Sequence, residues 1–224
     1  YNPYWGEQDG KIRNSRERDI FEPLFLLNYT LETEKLNWIV GASYQTGTYS
    51  KSRLGYYNAP NPDPTYYRYL PSYHINSSLG ADFVNANLAR EAFLGHPQWK
   101  WGQLYEANAK NNGNAAYLFY DDVVADRTWT AATSFEYHLG ERFQFGGGVN
   151  YRKLTSKHYA EITDMLGSDY YEDMDTFSNT SNDVNGNLQK QEGEIINYYY
   201  DVNASQFEGF GQIAYTANKW KVFT

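Results

Sequence analysis

The chain has 224 residues, 21% of them charged, a formal net charge of -8 at pH 7 and no cysteine. Disulfides, thiol catalysis and thiolate metal sites are therefore excluded, and the acidic balance argues against a nucleic-acid partner. Aromatics reach 18%, led by 23 Tyr, while the mean hydropathy of -0.75 and the lack of any long apolar run exclude transmembrane helices. A membrane barrel stays open, because its strands need only every second residue to be apolar and so read as polar, Tyr- and Trp-rich chain.

Tyr1-Asn2-Pro3-Tyr4-Trp5 has mid-protein character, without a signal peptide or pro-segment, so the chain is expected to be an excerpt of something longer. The first strand-like stretch is Phe21 to Leu31: Phe25, Leu27, Tyr29 and Leu31 make an apolar face, although Leu24 and Leu26 intrude on the other. From Leu36 to Tyr44, Leu36, Trp38, Val40, Ala42 and Tyr44 oppose Asn37, Gly41 and Ser43, with Ile39 the one exception. A connection of roughly seventy-five residues follows, in which Ala81 to Phe93 and Pro97 to Lys110 read as two short helices, the second opened by Pro97.

From Thr128 to Leu139 the alternation is complete, Trp129, Ala131, Thr133, Phe135, Tyr137 and Leu139 lying on one face. It recurs from Phe143 to Arg152. A second long connection, Lys157 to Glu194, is acidic, then Asn- and Gly-rich, and reads as mobile. Ile195 to Thr216 is an imperfect strand, since Phe207 and Phe210 have opposite parity, and a bulge near Gly209 would repair the register. Trp220 and Val222 begin a last strand.

The connections alternate between short and long. Glu32-Thr33-Glu34-Lys35, Gly140-Glu141-Arg142 and Ala217-Asn218 close three tight hairpins, whereas residues 50–125 and 158–194 form long excursions. A soluble sandwich has no reason to gather its short turns at one end. Outer-membrane barrels have short periplasmic turns and long extracellular loops. Tyr29, Trp38, Tyr137, Phe143, Tyr215 and Trp220 near the short turns, and Tyr44, Trp129 and Tyr151 at the other strand ends, read as two interfacial girdles. The expected fold is thus all-β: part of an antiparallel transmembrane β-barrel spanning residues 1–224 as a single domain, with short periplasmic turns and long extracellular loops carrying short helices.

Three segments carry a family resemblance: Asn2-Pro3-Tyr4-Trp5-Gly6, Gly10-Lys11-Ile12-Arg13-Asn14-Ser15-Arg16, and Asn61-Pro62-Asp63-Pro64-Thr65-Tyr66-Tyr67 with Leu70-Pro71-Ser72-Tyr73. They resemble the barrel of TonB-dependent receptors from Bacteroidota, of the type with a carboxypeptidase-regulatory-like domain. The resemblance implies a large barrel around an N-terminal plug, energised by the TonB protein through that plug; neither plug nor TonB box is visible here. About six strands are too few to close even a small barrel. The matching motifs are scaffold features, so the family lends no binding residues position by position.

No catalytic or metal pattern stands out. His74, His96, His138 and His158 lack ligand spacing, and no nucleophile elbow occurs; Gly146-Gly147-Gly148 lies inside a strand, easing curvature or packing. Asp169, Glu172, Asp173 and Asp175, or Asp183 with Asn185 and Asn187, could gather a hard cation, yet neither set matches a calcium loop and solvated charge is the simpler account. Lys11, Arg13, Arg16 and Arg18 form a basic cluster, suited to lipopolysaccharide phosphate or simply exposed. No enzymatic activity and no cofactor are expected. The candidate ligand contacts are the loop aromatics Tyr56, Tyr57, Tyr66, Tyr67, Tyr69, Tyr73, Trp99 and Trp101, whose flat faces and polar edges suit a sugar or peptide; the alternative is that they pack the loop against its own helices.

The expected function is nutrient uptake (a glycan, peptide or metal chelate) across the outer membrane of a Gram-negative bacterium. Its partners would be outer-membrane lipid, TonB through the plug, and a surface lipoprotein. The competing readings are a secreted β-rich carbohydrate-binding or adhesion module, and a barrel serving as scaffold in an outer-membrane complex.

Overall fold

The computed structural model describes residues 2–175, 177–182 and 186–224. Strands hold 57% of the chain and helices 14%, so the fold is mostly β. In chain order the elements are β1 (Trp5–Gln8), β2 (Lys11–Asn14), β3 (Arg18–Phe21), β4 (Leu24–Glu32), β5 (Leu36–Tyr56), α1 (Pro71–Ile75), α2 (Phe83–Gly95) and α3 (Trp101–Ala109). They continue with β6 (Tyr117–Leu139), β7 (Phe143–Asp164), the two-residue strands β8 (Tyr171–Glu172), β9 (Met174–Asp175), β10 (Thr180–Ser181) and β11 (Gln189–Lys190), then β12 (Ile195–Ala217) and β13 (Trp220–Phe223). The main sheet has seven strands in the order β13-β12-β7-β6-β5-β3, with β4 also on β5. This path has two ends, so among the described residues the sheet does not close on itself.

The four long strands have 21, 23, 22 and 23 residues, about twice the 9–11 that cross a bilayer. They outrun the stretches of clean alternation, so residues 50–56, 117–125 and 158–164, expected as loop, are strand instead. Alternation fades there because these parts of the sheet are covered by protein on both faces, which removes the polar face that made the pattern visible.

The chain forms two compact units, 20–49 with 124–158 and 200–224, and 1–19 with 50–123 and 159–199. The first, the hairpin unit, holds all three short turns. At β4–β5 the Thr33 N–H donates to the Leu36 carbonyl (2.8 Å) and the Leu36 N–H to Thr33 Oγ1 (3.0 Å). At the other two turns Gly140 (φ 65°) and Asn218 (φ 52°) take the left-handed conformation that a tight antiparallel reversal needs. Phe25 pairs with Tyr44, Leu27 with Ala42, Tyr29 with Val40 and Leu31 with Trp38, so the expected apolar faces of β4 and β5 coincide. The break between β3 and β4 falls at Glu22-Pro23, where proline has no N–H for the ladder. Opposite it, a Cβ on Gly47 would stand 2.0 Å from the Phe21 carbonyl oxygen.

The apolar face of the hairpin unit is laced by rings: Phe25 on Tyr44 (6.4 Å), Tyr44 on Trp129 (4.2 Å), Tyr29 edge-on to Trp38 (6.3 Å) and Phe143 on Tyr215 (4.9 Å). Trp38 Nε1 donates to Thr133 Oγ1 at 2.7 Å. The opposite face is polar. Gln144 Nε2 donates to Glu136 Oε1 (2.6 Å), which also meets His138 Nε2 (2.9 Å), and Gln206 Nε2 donates to Glu208 Oε1 (2.7 Å).

Phe210 does not need the bulge expected near Gly209. Strand β12 runs unbroken from Ile195 to Ala217, and Phe210 lines a polar-face hollow with Glu136, Gln144 and Gln212. It fits there because Gly148 has no side chain: a Cβ would lie 2.8 Å from Phe210 Cε1 and 2.7 Å from the Thr133 carbonyl oxygen. On the apolar face Phe135 covers Gly147 in the same way, 3.0 Å from its would-be Cβ.

The second unit, the loop unit, has two small cores. Trp99, Trp101, Leu104, Ala116, Tyr117, Phe119 and Leu166 make one; Ala115, Leu118, Ala160, Ile162, Met165, Tyr171 and Ile196 make the other. Neighbours in β6, Tyr117 and Phe119 against Leu118, thus feed different cores. Asn108, 1% exposed, ties α3 to the strands: its Nδ2 donates to the carbonyls of Tyr117, Met165 and Leu166, and its Oδ1 accepts from Ala116 and Tyr117 N–H.

The helices are shifted from the expected ranges. Helix α2 starts at Phe83 because Asp82 caps it, accepting from the Asn85 N–H at 3.0 Å, and α3 starts at Trp101, not Pro97. The second long connection, expected as mobile, carries paired strands and buried groups. Asp173, 1% exposed, accepts from Asn182 Nδ2 and Asn197 N–H, and its carbonyl accepts from Asn182 N–H.

Strand β1 docks by backbone: the Trp99 N–H donates to the Trp5 carbonyl, and a Cβ on Gly6 would stand 2.1 Å from the Trp99 carbonyl oxygen. Gly6→Ala is expected to destabilise the loop unit by about 1–3 kcal/mol, as overpacking against rigid backbone does. Thermal unfolding of both proteins, followed through the near-ultraviolet signal of the buried Trp99–Trp101 pair, measures the loss.

Candidate functional site

The Pro-rich segment before α1 holds itself together. Asn61 Oδ1 accepts from the Asp63 N–H (2.9 Å), and Asp63 Oδ1 accepts from Thr65 N–H and Oγ1 (2.8 and 2.6 Å). Tyr69 Oη donates back to the Asn61 carbonyl (2.9 Å), and Tyr117 Oη to the Pro60 carbonyl (2.7 Å). With φ set at each proline, little freedom is left.

Four of the eight predicted aromatics, Tyr66, Tyr67, Tyr69 and Tyr73, are brought together by this framework. Tyr66 meets Tyr67 and Tyr69 edge-to-face at 4.8 and 5.2 Å, and Tyr67 meets Tyr73 at 5.7 Å. Arg68 Nε donates to Tyr67 Oη (2.9 Å), and that bond holds the Tyr67 phenol below its ordinary pKa. Tyr67, Tyr69 and Tyr73 remain exposed, Tyr67 by 54%.

The other four stand apart. Tyr56 lies 6.3 Å from Tyr117, and Tyr57 Oη donates to Asn179 Oδ1 (3.3 Å). Trp99 and Trp101 are interior, 7% and 0% exposed; their rings lie 5.8 Å apart, with Phe119 5.4 Å from Trp101 and the Arg13 guanidinium 4.3 Å over the Trp101 ring. Their ring faces are committed to protein, so the two tryptophans belong to the packing alternative rather than to the exposed ligand surface.

Beside the tyrosines is a crevice of about 490 Å³ between the Pro-rich segment and α2–α3. Pro60, Pro62, Pro64, Phe93, Leu104 and Tyr69 give it apolar walls, and His96, Gln98, Lys100 and Gln103 supply polar tips. Such a mixture suits a small ligand with an apolar surface and several hydrogen-bonding groups. The four polar residues escaped sequence reasoning because they lie across a helix boundary, in no regular spacing.

Arg13 is the charged centre of the loop unit. It pairs with Asp164, donates to Tyr105 Oη (3.1 Å) and Gln8 Oε1 (2.8 Å), and covers Trp101. Burial works against the Arg13 charge, but the Asp164 hydrogen bond and charge prevail and raise its pKa. Arg16 lies 3.7 Å over the Tyr4 ring. The expected basic cluster is therefore partly spent on protein contacts.

Among the described residues no three His, Cys, Asp or Glu side chains gather as metal ligands. Asp173 is turned onto amides, Asp175 accepts from the Phe177 N–H and Ser178 Oγ, and the expected Asp183–Asn185 pair lies outside the described residues. His158 Nε2 is 2.9 Å from the buried Ser156 Oγ, its ring flat against Tyr200 at 4.7 Å. Lys190 has no exposed surface and its Nζ no hydrogen-bond partner among the described residues.

No family model, curated protein or solved structure matches the chain.

Arg13→Ala is expected to destabilise the loop unit by about 2 kcal/mol, since it removes a charge-assisted bond and leaves Asp164 unpaired; chemical denaturation gives the value. Glu161 supplies a pH signature. Burial, and then the Asp121 charge, raise its pKa, so the folded protein binds this proton more tightly than the unfolded one. Stability therefore falls as pH rises through the unfolded carboxylate range and levels off above the folded pKa. Glu161→Gln is expected to raise the melting temperature at pH 7 and leave it little changed at pH 4, as scanning calorimetry at the two pH values will register.

Proposed function

We propose that this chain is part of a transmembrane β-barrel of the outer membrane, in a transporter that captures a nutrient at the outer surface. The observation that carries the reading is the bare apolar face of the hairpin unit. Phe25 is 63% exposed, Leu27 73%, Trp129 57% and Phe207 71%, and the opposite face carries polar groups, broken by Leu24, Leu26 and Phe210. An apolar face of this extent calls for lipid or protein to cover it, and aromatic residues toward both ends of its strands are what a bilayer's two interfaces favour.

The connections point the same way. Every turn of the hairpin unit is short, whereas the long excursions, the helices and the tyrosine cluster belong to the loop unit. On this reading the loop unit is extracellular, and Tyr67, Tyr69, Tyr73 and the neighbouring crevice form the surface at which a glycan or peptide is first held. The sheet's open edges accord with a barrel whose remaining strands lie elsewhere in a longer protein. The likeness to TonB-dependent receptors supplies the transport mechanism: ligand capture, then displacement of a plug by energy relayed through TonB. A surface lipoprotein is the partner this reading admits at the loops.

Bilayer insertion of purified protein is testable by quenching with bromine-labelled lipid tails. Single-tryptophan variants retaining Trp38, Trp129 or Trp220 are expected to be quenched by at least about half, whereas those retaining Trp99 or Trp101 stay bright. A protein that is folded and monodisperse in detergent-free buffer, with Trp129 shielded from aqueous quencher, would instead be a secreted β-rich binding module.

A further inference from the structure

The apolar face of the hairpin unit changes character beyond its aromatic row. Alternation along β6 puts Arg127 on the same face as Trp129, two residues on; alternation along β7 puts Lys153, Thr155 and Lys157 on the face of Tyr151. The register is intact over this stretch. Phe143–Tyr215, Thr155–Asn203 and His158–Tyr200 are cross-strand neighbours in one continuous pairing of β7 with β12.

Arg127, Lys153 and Lys157 are all exposed, and among the described residues none makes an ion pair or a side-chain hydrogen bond. Asp201 shares the face, two residues before Asn203, and it too is unpaired among the described residues. The contrast with the loop unit is sharp, for there Arg13 and Arg53 each have a carboxylate, Asp164 and Asp122. Thr155 Oγ1 donates to Asn203 Oδ1 at 3.1 Å among the cations, adding neutral hydrogen-bonding groups to the patch.

Resting on the membrane reading above, we propose that Arg127, Lys153 and Lys157 bind the phosphate groups of anionic lipid headgroups. Arg127 and Lys153 lie about 7 Å of strand beyond the rings of Trp129 and Tyr151, the depth at which headgroups begin if those rings mark the interface. Lys157 lies about 13 Å of strand further, less once strand tilt is allowed for, within reach of the phosphates of a bulky glycolipid head. Long cationic side chains there keep their stems against the apolar face and their charges among phosphates. Asp201, opposite Lys157 in this register, offsets one of the three positive charges, and the remainder meets its counter-charge in the lipid.

The test uses the purified chain in detergent, titrated with phosphatidylglycerol, with phosphatidylcholine, and with inorganic phosphate alone. Wild type is expected to retain phosphatidylglycerol in preference to phosphatidylcholine, and the Arg127→Gln/Lys153→Gln/Lys157→Gln variant to bind it roughly tenfold or more weakly. The charge-preserving variant Lys153→Arg/Lys157→Arg should keep the preference. Equal affinity of the triple variant and wild type, in protein that still takes up detergent, would overturn the lipid site and leave the membrane reading standing. Displacement of bound lipid by equimolar inorganic phosphate would make this a free-phosphate site and equally overturn it. Failure of wild type to take up detergent at all would sink both readings together.

Discussion

Adjacent residues of a strand face opposite ways, and four strands of more than twenty residues each make that rule the dominant constraint on this protein. Whatever covers a face must suit every second side chain of several neighbouring strands at once. In the hairpin unit one face offers Phe25, Tyr44, Trp129, Phe143 and Tyr215, and the other offers Glu136, Gln144 and Glu208. No single solvent suits both. In the loop unit the same alternation sends Leu118 to one core and Phe119 to the other, which is how a strand surrounded by protein stabilises itself. Ordinary strand geometry is thus put to two uses by a change in what the faces meet.

Glycine makes room for the sheet's departures from simple alternation. At Gly148 the missing side chain admits the Phe210 ring to the polar face, and at Gly147 it admits Phe135 on the apolar one. At Gly6 it admits a backbone rather than a ring. The three sites differ in how they would respond to a methyl group. The Phe135 ring over Gly147 can turn aside by rotating about its side-chain bonds, whereas a methyl on Gly148 also meets the Thr133 carbonyl, and the Trp99 carbonyl beside Gly6 is held by the packed tryptophans behind it. That asymmetry makes the join between β1 and the Trp99 segment the least forgiving contact in the loop unit.

The strands of the hairpin unit were legible because their two faces differ: Trp38, Val40, Ala42 and Tyr44 against Asn37, Gly41 and Ser43 leave one period that fits. The extensions to Tyr56, from Tyr117 and to Asp164 were not, because strand buried on both faces shows no such contrast. Phe210 misled for a related reason. An aromatic at a polar parity reads as a slipped register, and only the neighbouring strand's Gly148, invisible as a partner in one dimension, explains it. The tyrosine cluster was half legible: composition marked Tyr66, Tyr67, Tyr69 and Tyr73 as a group, but nothing local separates them from Trp99 and Trp101, whose burial depends on Arg13 and Phe119, distant in the chain. Gln98 and Gln103 became visible only with the crevice they line.

The tyrosine surface, proposed here to hold a ligand, is fixed by the same bonds that order the loop. A flexible loop would lose conformational freedom each time it closed on a ligand, at about 1–2 kcal/mol per residue fixed. Here the Asn61, Asp63, Tyr69 and Tyr117 hydrogen bonds and the prolines have already removed much of that freedom. Those bonds commit the Tyr69 and Tyr117 hydroxyl protons to backbone carbonyls, so Tyr69 is left to offer its ring and an accepting oxygen. In the proposed binding role, selectivity would fall to the polar groups beside these tyrosines, His96, Gln98, Lys100 and Gln103. A ligand with an apolar surface would be held by the rings, and the arrangement of its polar groups would decide whether it stays.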